Sequence, residues 1–192
     1  SKDLKFLGSF GMSGEGPNEF SYPSSSNQFI SGKDGIKIWV NDLWKYKLSL
    51  ININKSLDSG KTITEKEFKI NPKYDFTHDL IHYSDTLFYG NHGPDQIGRS
   101  RVSKYNIKSD VETKANLLPV LENIDLINRS NMYALYFDYL AIKPDKTKLV
   151  SAMSSFNRLD FYDLNLNHLK AVIEGEEIKD VKEVLHKIGR AS

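Results

Sequence analysis

An all-β fold, made of repeated four-stranded antiparallel sheets of the β-propeller type, is predicted by three observations. Short segments that alternate apolar and polar residues dominate the sequence, with turn residues between them. Landmark residues recur at intervals of about 50 to 60 residues. The 10 Tyr, 10 Phe and 2 Trp residues favour pleated, half-buried surfaces. We expect about three to four such blades, followed by a short C-terminal helix.

The first landmark is an Asn or Asp near the end of a strand-like segment. It occurs three times, at Asn52, Asn106 and Asp163. Side chains of this kind bond to their own backbone and start turns. Each therefore predicts the end of one strand and the start of a connection.

The second landmark is a tight turn that contains Asp34, Asp85 or Asp145 and leads into an apolar segment. Each turn predicts a hairpin between the first and second strands of a unit. A third landmark, over residues 66–70, 112–117 and 170–173, has the composition of the last strand of a unit. Residues 5–7 resemble that last strand and indicate the tail of an earlier unit.

These landmarks divide a single domain, residues 1–192, into blade units at roughly 24–71, 76–118 and 133–175. The aromatic segment 131–139 is interpreted as the innermost strand of the third unit and its approach. Apolar residues recur at helical spacing over 176–189, which predicts a helical extension over 176–192. The competing fold is a β-sandwich, which does not require a repeat.

The Gly-rich segment at residues 8–20 is interpreted as a structural junction between blades. Its junction residues are Gly8, Gly11, Gly14, Gly16, Pro17 and Phe20. Glycine reaches positive φ without steric cost, and proline fixes its own φ. A phosphate-binding loop would need a Lys-Ser/Thr pair and a helix after the glycines, and a Pro/Ser-rich stretch follows instead.

The same segment resembles the "G-x-x-G-x-G-P-x-E-F" junction of TolB-like six-bladed β-propellers, which are common among Bacteroidetes-type bacteria. Residues 137–150 are similar to the "P-D-x-x-K-L" hairpin of that family, and residues 161–165 to its next strand. The resemblance implies a six-bladed propeller that is usually exported and often a lipoprotein. It implies no catalytic residues.

Six blades at this repeat length would need roughly 330 residues, and the chain has 192. The sequence therefore predicts a partial ring, which is either part of a longer protein or a half-ring. A half-ring would expose blade edges and invite self-association. A compact four-bladed ring, closed by residues 5–7 joining the last blade, is the alternative.

Composition narrows the classes of partner. The formal net charge of +1 gives no broad attraction to nucleic acid. There is no Cys, so disulfides and Cys-based metal sites are excluded. The sequence contains no apolar run of about 18 residues, so it predicts no transmembrane helix. We expect no cofactor and an exported location, periplasmic or at the outer membrane of a bacterium.

Five residues are candidates for ligand binding: His78, His82, His92, Arg99 and Arg101. On a strand, His78 and His82 share a face but lie about 13 Å apart, too far to chelate one ion. We therefore predict no metal site there. His92, Arg99 and Arg101 belong to a polar loop that could grip a carboxylate or phosphate.

Two functions follow from these features. The first is a non-catalytic, exported binding or scaffold module with no catalytic residues and a protein, peptide or carbohydrate partner. The second is a propeller enzyme, either a glycoside hydrolase or a metal-dependent lyase or lactonase. An enzyme would need carboxylates or histidines to converge on the central axis, and Asp34, Asp85 and Asp145 are its repeated acids.

Overall fold

The computed structural model describes residues 5–74, 76–92, 102–115 and 138–176, together with Lys182, Val184 and His186. For residues 26, 27, 76–79, 92 and 154 it describes the backbone alone. The chain divides into two compact units, Ser1–Tyr74 and Asp75–Ser192. Each unit is described separately.

The first unit contains one four-stranded antiparallel sheet, here called sheet I. A short parallel pair precedes it, formed by β1 (Met12–Ser13) and β2 (Glu19–Phe20). The strands of sheet I follow in chain order as β3 (Pro23–Gly32), β4 (Gly35–Asp42), β5 (Lys47–Asn52) and β6 (Thr64–Lys69).

A helix, α1 (Ile53–Ser59), connects β5 to β6. Asn52 caps its N-terminus because the Asn52 Oδ1 accepts a bond from the Lys55 amide at 3.0 Å. Gly60 ends the helix with φ of 67°, a left-handed conformation that glycine adopts readily. The sequence analysis missed α1 because seven residues are too few to show helical periodicity.

The second unit contains two further four-stranded meanders. Sheet II consists of β7 (Phe76–Ser84), β8 (Leu87–His92), β9 (Val102–Asn106) and β10 (Val111–Lys114). Sheet III consists of β11 (Asp138–Ile142), β12 (Lys148–Met153), β13 (Arg158–Asp163) and β14 (His168–Ile173). A 3-10 turn at Ser154–Phe156 joins β12 to β13. Three sequential antiparallel meanders confirm the predicted all-β fold of propeller-type blades.

The repeat landmarks occupy equivalent positions in all three sheets. Asn52, Asn106 and Asp163 are each the last residue of the third strand. Asn106 Oδ1 accepts bonds from the amides of Lys108 and Ser109, and Asp163 Oδ1 accepts bonds from those of Asn165 and Asn167. The predicted role in starting turns is confirmed.

The three aspartates of the second landmark lie in the first hairpin of each sheet, as predicted. Asp34 and Asp85 belong to two-residue connections. Asp145 accepts bonds from the amide and the hydroxyl of Thr147. Its ion pair with Lys143 and these bonds lower the pKa of Asp145 to about 2.

Sheets II and III pack face to face around a shared apolar core. Sheet II contributes Ile81, Tyr89 and Val102, and sheet III contributes Leu140, Leu149 and Tyr162, all of which are buried. The Tyr89 hydroxyl donates to the Leu164 carbonyl at 2.8 Å. This contact is the one blade-to-blade interface within the second unit whose residues are described.

The prediction that residues 5–7 form a strand is wrong. These residues have no strand conformation, and Phe6 and Leu7 are 81% and 77% exposed. A strand needs a partner edge for its backbone groups, and the described residues offer none to this segment. In the predicted C-terminal helix, Lys182, Val184 and His186 are helical and Val184 is buried. The rest of that helix and most of the aromatic segment 131–139 lie outside the described residues.

Candidate interaction surface

The Gly-rich loop holds a carboxylate of its own chain. The Gly16 amide donates to Glu19 Oε2 at 2.8 Å, and the Glu19 amide donates back to the Gly16 carbonyl at 3.1 Å. A Cβ added at Gly14 would lie 2.2 Å from Glu19 Oε2, so glycine is required for this close approach. The Gly16 amide, which a bound phosphate would need as a donor, is therefore already occupied by Glu19.

Two lysines and one aspartate attach the loop to sheet I. Lys45 Nζ donates to the carbonyls of Gly16 and Glu19 at 3.1 and 3.0 Å. Lys47 Nζ donates to the Pro17 carbonyl at 3.1 Å. The buried Asp42 accepts bonds from the Ser21 and Tyr22 amides, which fixes the segment that follows the loop. These contacts are those of a rigid corner, in which Gly8, Gly11 and Gly14 have positive φ and Gly16 does not.

We expect Glu19→Ala to loosen this loop, because the Gly16 amide would lose its charged acceptor. A hydrogen bond to a charged group contributes about 1.5–3 kcal/mol, so cleavage of the loop by protease should accelerate at least about tenfold. Limited proteolysis followed by mass spectrometry measures this rate. Glu15→Ala is the matched control, since Glu15 is an exposed carboxylate of the same loop that accepts a bond from the Ser21 hydroxyl and, among the residues that the structure describes, none from a loop amide. Equal cleavage rates in the two variants would contradict the assignment.

The five candidate ligand residues are not brought together by any contact among the described residues. His78 and His82 lie on β7, and the half-buried His82 ring lies 5.3 Å from the Phe88 ring. His92 is the last residue of β8, and the side chains of His78 and His92 are not described. Arg99 and Arg101 lie outside the described residues. Where the structure is described, no group of three His, Cys, Asp or Glu side chains could hold a metal ion.

The second face of sheet III, which faces away from sheet II, is largely apolar and partly exposed. The strand register places its residues in two rows across the sheet. One row contains Tyr139, Ala152, Leu159 and Val172, and the other contains Ala141, Val150, Phe161 and Lys170. Tyr139 is 60% exposed, and Leu159 and Val172 are 40% and 45% exposed. We call these two rows the outer face of sheet III.

Two central positions of this face, those of Leu159 and Val150, have buried equivalents in both of the other sheets. Lys37, Leu87 and Lys148 each pair with the landmark that ends the third strand, which aligns the three sheets residue by residue. In this alignment Leu159 corresponds to Leu48 and Val102, which are 1% and 2% exposed. Val150 corresponds to Trp39 and Tyr89, which are also buried. The outer face of sheet III thus has the composition of a covered blade face.

A cavity of about 420 Å³ opens on this outer face, within the size range of roughly 300–1,000 Å³ that ligand pockets occupy. Its walls are apolar and include Ile142, Pro144, Val150 and Phe161. Lysines surround it: Lys143, Lys148 and Lys170. The Lys170 ammonium lies 5.1 Å from the centre of the Phe161 ring. An apolar group with a nearby negative charge would suit this cavity.

Comparisons with known proteins give structural matches alone. No family model matches the chain, and no curated protein sequence matches it. Virginiamycin B lyase from Staphylococcus aureus aligns over 80% of this chain and 45% of its own, with 14% identity and a TM-score of 0.40. The β-propeller domain of Cps50 (Swd1) from Myceliophteria thermophila aligns over 74% and 40%, with 14% identity and a TM-score of 0.39.

A third structure is a proposed 6-phosphogluconolactonase from Bacteroides fragilis. It aligns over 88% of this chain and 47% of its own, with 15% identity and a TM-score of 0.41. The chain therefore spans less than half the length of each of these three structures. No helix in the described part of the chain is long and apolar enough to span a membrane.

The sequence analysis did not identify the outer face of sheet III. Its residues alternate with buried ones along each strand, so Leu159 and Phe161 look like core positions of any sheet. What distinguishes them is the absence of a covering layer among the described residues, and a strand pattern does not report this. The one available signal was Lys170, a charge within an otherwise apolar row.

Proposed function

We propose that the chain is a non-catalytic binding module whose outer face on sheet III docks a protein partner. The observation that carries this proposal is that Leu159 is exposed and Val150 is half-buried, at positions where the equivalent residues of sheets I and II are buried. Large exposed apolar patches are uncommon on isolated soluble domains and mark interaction sites. The two apolar rows extend beyond the cavity, so a protein surface fits them better than a small molecule does.

We also propose that this module acts outside the cytoplasm. The proposal is supported by the resemblance of residues 8–20 to the junction of exported TolB-like propellers. Fractionation of cells that produce the protein tests the location independently of binding.

Site-specific crosslinking tests the docking surface. We expect p-benzoylphenylalanine at position 139, in place of the exposed Tyr139, to form a covalent adduct with one defined protein in cells that produce the chain. Adding Leu159→Glu should abolish the adduct, because a carboxylate in the apolar row would have to lose its hydration. The same photoreactive residue at Lys108, an exposed turn position of sheet II, is the control. No adduct at position 139, or identical adducts at both positions, would refute the proposal.

A further inference from the structure

Sheet I has an apolar face that is exposed on its first two strands, whereas Ser49 and Ile51 on the third strand of the same face are buried. The register places Phe29, Ile36, Ile38 and Val40 on one face. Phe29 and Ile36 are 61% and 42% exposed, and Ile38 and Val40 are half-buried. We call this group the leading face of sheet I. In the alignment of the three sheets, Ile38 corresponds to Phe88 and Leu149, which are 0% and 1% exposed.

The contact between sheets II and III shows how two such faces fit. There, Tyr89 and Val102 of sheet II meet the face of sheet III that carries Leu149 and Tyr162. Val150 and Leu159 on the outer face of sheet III are the equivalents of Tyr89 and Val102. Ile38 on the leading face of sheet I is the equivalent of Leu149. The outer face of sheet III and the leading face of sheet I therefore resemble the two faces that meet in the contact between sheets II and III.

The charges at one end of this contact also have counterparts. In the second unit the first hairpin of sheet III reaches back to sheet II, where the Lys146 ammonium donates to the Tyr83 carbonyl at 3.0 Å. Tyr83 lies near the end of β7, as Ile142 does in β11. The first hairpin of an added sheet I would bring the exposed Asp34 there together with the equally exposed Lys33, beside lysines of which Lys143 already pairs with Asp145. The apolar faces, and not the net charge at this end, therefore carry the pairing.

From these faces we propose that a second copy of the chain docks the leading face of its sheet I on the outer face of sheet III. This rests on the proposed function and names the partner. The association is head-to-tail, because two different faces of the chain meet. A head-to-tail contact either closes into a ring or continues as a longer assembly.

Sedimentation of the purified chain tests self-association. The wild-type mass should exceed that of a monomer and should increase with concentration up to about 200 μM, a range that detects dissociation constants of about 200 μM or lower. Phe29→Glu and Leu159→Glu should each raise the dissociation constant at least about 30-fold. Val111→Glu is the control, because Val111 is 54% exposed on β10. All three positions are solvent-exposed, and circular dichroism checks that each variant is folded.

Mixing the two variants tests the direction of the contact. A Phe29→Glu copy keeps an intact outer face on sheet III, and a Leu159→Glu copy keeps an intact leading face on sheet I. Each variant alone should be monomeric, whereas their mixture should form a 1:1 pair. If the Phe29→Glu variant self-associates like the wild type, the head-to-tail contact is wrong.

Two other results would overturn the inference. In each case the fate of the proposed function can be told apart from that of the inference. A monomeric wild-type chain whose position 139 crosslinks to a different protein in cells would keep the binding module and reject the second copy. Self-association that Leu159→Glu does not weaken would reject the second copy as the occupant of the outer face, and crosslinking at position 139 would then decide the proposed function alone.

Discussion

Asp160→Ala should destabilise the second unit by about 3–5 kcal/mol, the cost of removing one partner of a buried ion pair. Asp160 is fully buried on β13, where its carboxylate accepts two bonds from the Arg158 guanidinium at 2.7 and 2.9 Å. The His168 Nε2 lies 2.7 Å from Asp160 Oδ1, the oxygen that also accepts from Arg158 Nη2. The Arg158 side chain is 13% exposed, so its positive charge would lose its bidentate partner without gaining full hydration.

Urea unfolding followed by far-UV circular dichroism measures this loss. The expected value is a large part of the total stability of about 5–15 kcal/mol that is typical of a domain. Asp145→Ala is the control, because it removes another aspartate from the same sheet whose ion pair with Lys143 is exposed. It should cost no more than about 1 kcal/mol, because its ion pair and its bonds to Thr147 are all exposed to solvent.

A double substitution separates the charge from the packing. Asp160→Leu combined with Arg158→Met removes both charges and keeps much of the side-chain volume, so it should recover most of the stability lost in Asp160→Ala. A double variant as unstable as the single one would show that the charges are not the cause. A cost below about 1 kcal/mol for Asp160→Ala would contradict the burial argument itself.

The sequence predicted the three meanders because the side chains that end their third strands bond to residues nearby in the chain. Asn52, Asn106 and Asp163 end the third strands through bonds to amides two to four residues away. Such contacts depend on neighbouring residues alone, so spacing along the chain reveals them. Helix α1 escaped prediction because Asn52 caps it with the same side chain that marks the strand end. Asn52 thus ends strand β5 and also starts helix α1.

The candidate surface was harder to predict because it depends on what covers a face. Val150 and Tyr89 are equivalent in register, and both are apolar residues of a second strand. Tyr89 is buried by sheet III, and Val150 is half-buried with an open cavity beside it. Burial of this kind is a tertiary property, and both residues occupy the same position of the strand pattern. The fold could therefore be predicted from the sequence, whereas the exposure of the outer face of sheet III could be identified only from the three-dimensional structure.

The core between sheets II and III should fail at high pH, and Tyr89 should be a main cause. Tyr89 is fully buried and lies edge-on to Tyr83, with 5.7 Å between ring centroids. Burial, with smaller contributions from Tyr83 and Asp163, raises the pKa of the Tyr89 hydroxyl to about 12. In the unfolded chain the pKa is about 10. Folding therefore favours the neutral form of the Tyr89 hydroxyl. Its contribution to the free energy of unfolding is fully present below about pH 10 and is lost as the pH rises through about 12.

Tyr89→Phe isolates this effect because phenylalanine keeps the ring and cannot ionise. At neutral pH it should cost about 1 kcal/mol, since the hydrogen bond to the Leu164 carbonyl is lost. Tyr89→Ala should cost about 3–5 kcal/mol because it also leaves a cavity between the sheets. Urea midpoints measured from about pH 8 to about pH 12 should fall less steeply for Tyr89→Phe than for the wild type. If the two proteins lose stability in parallel over this range, another group controls the alkaline unfolding, and Tyr89 contributes through packing alone.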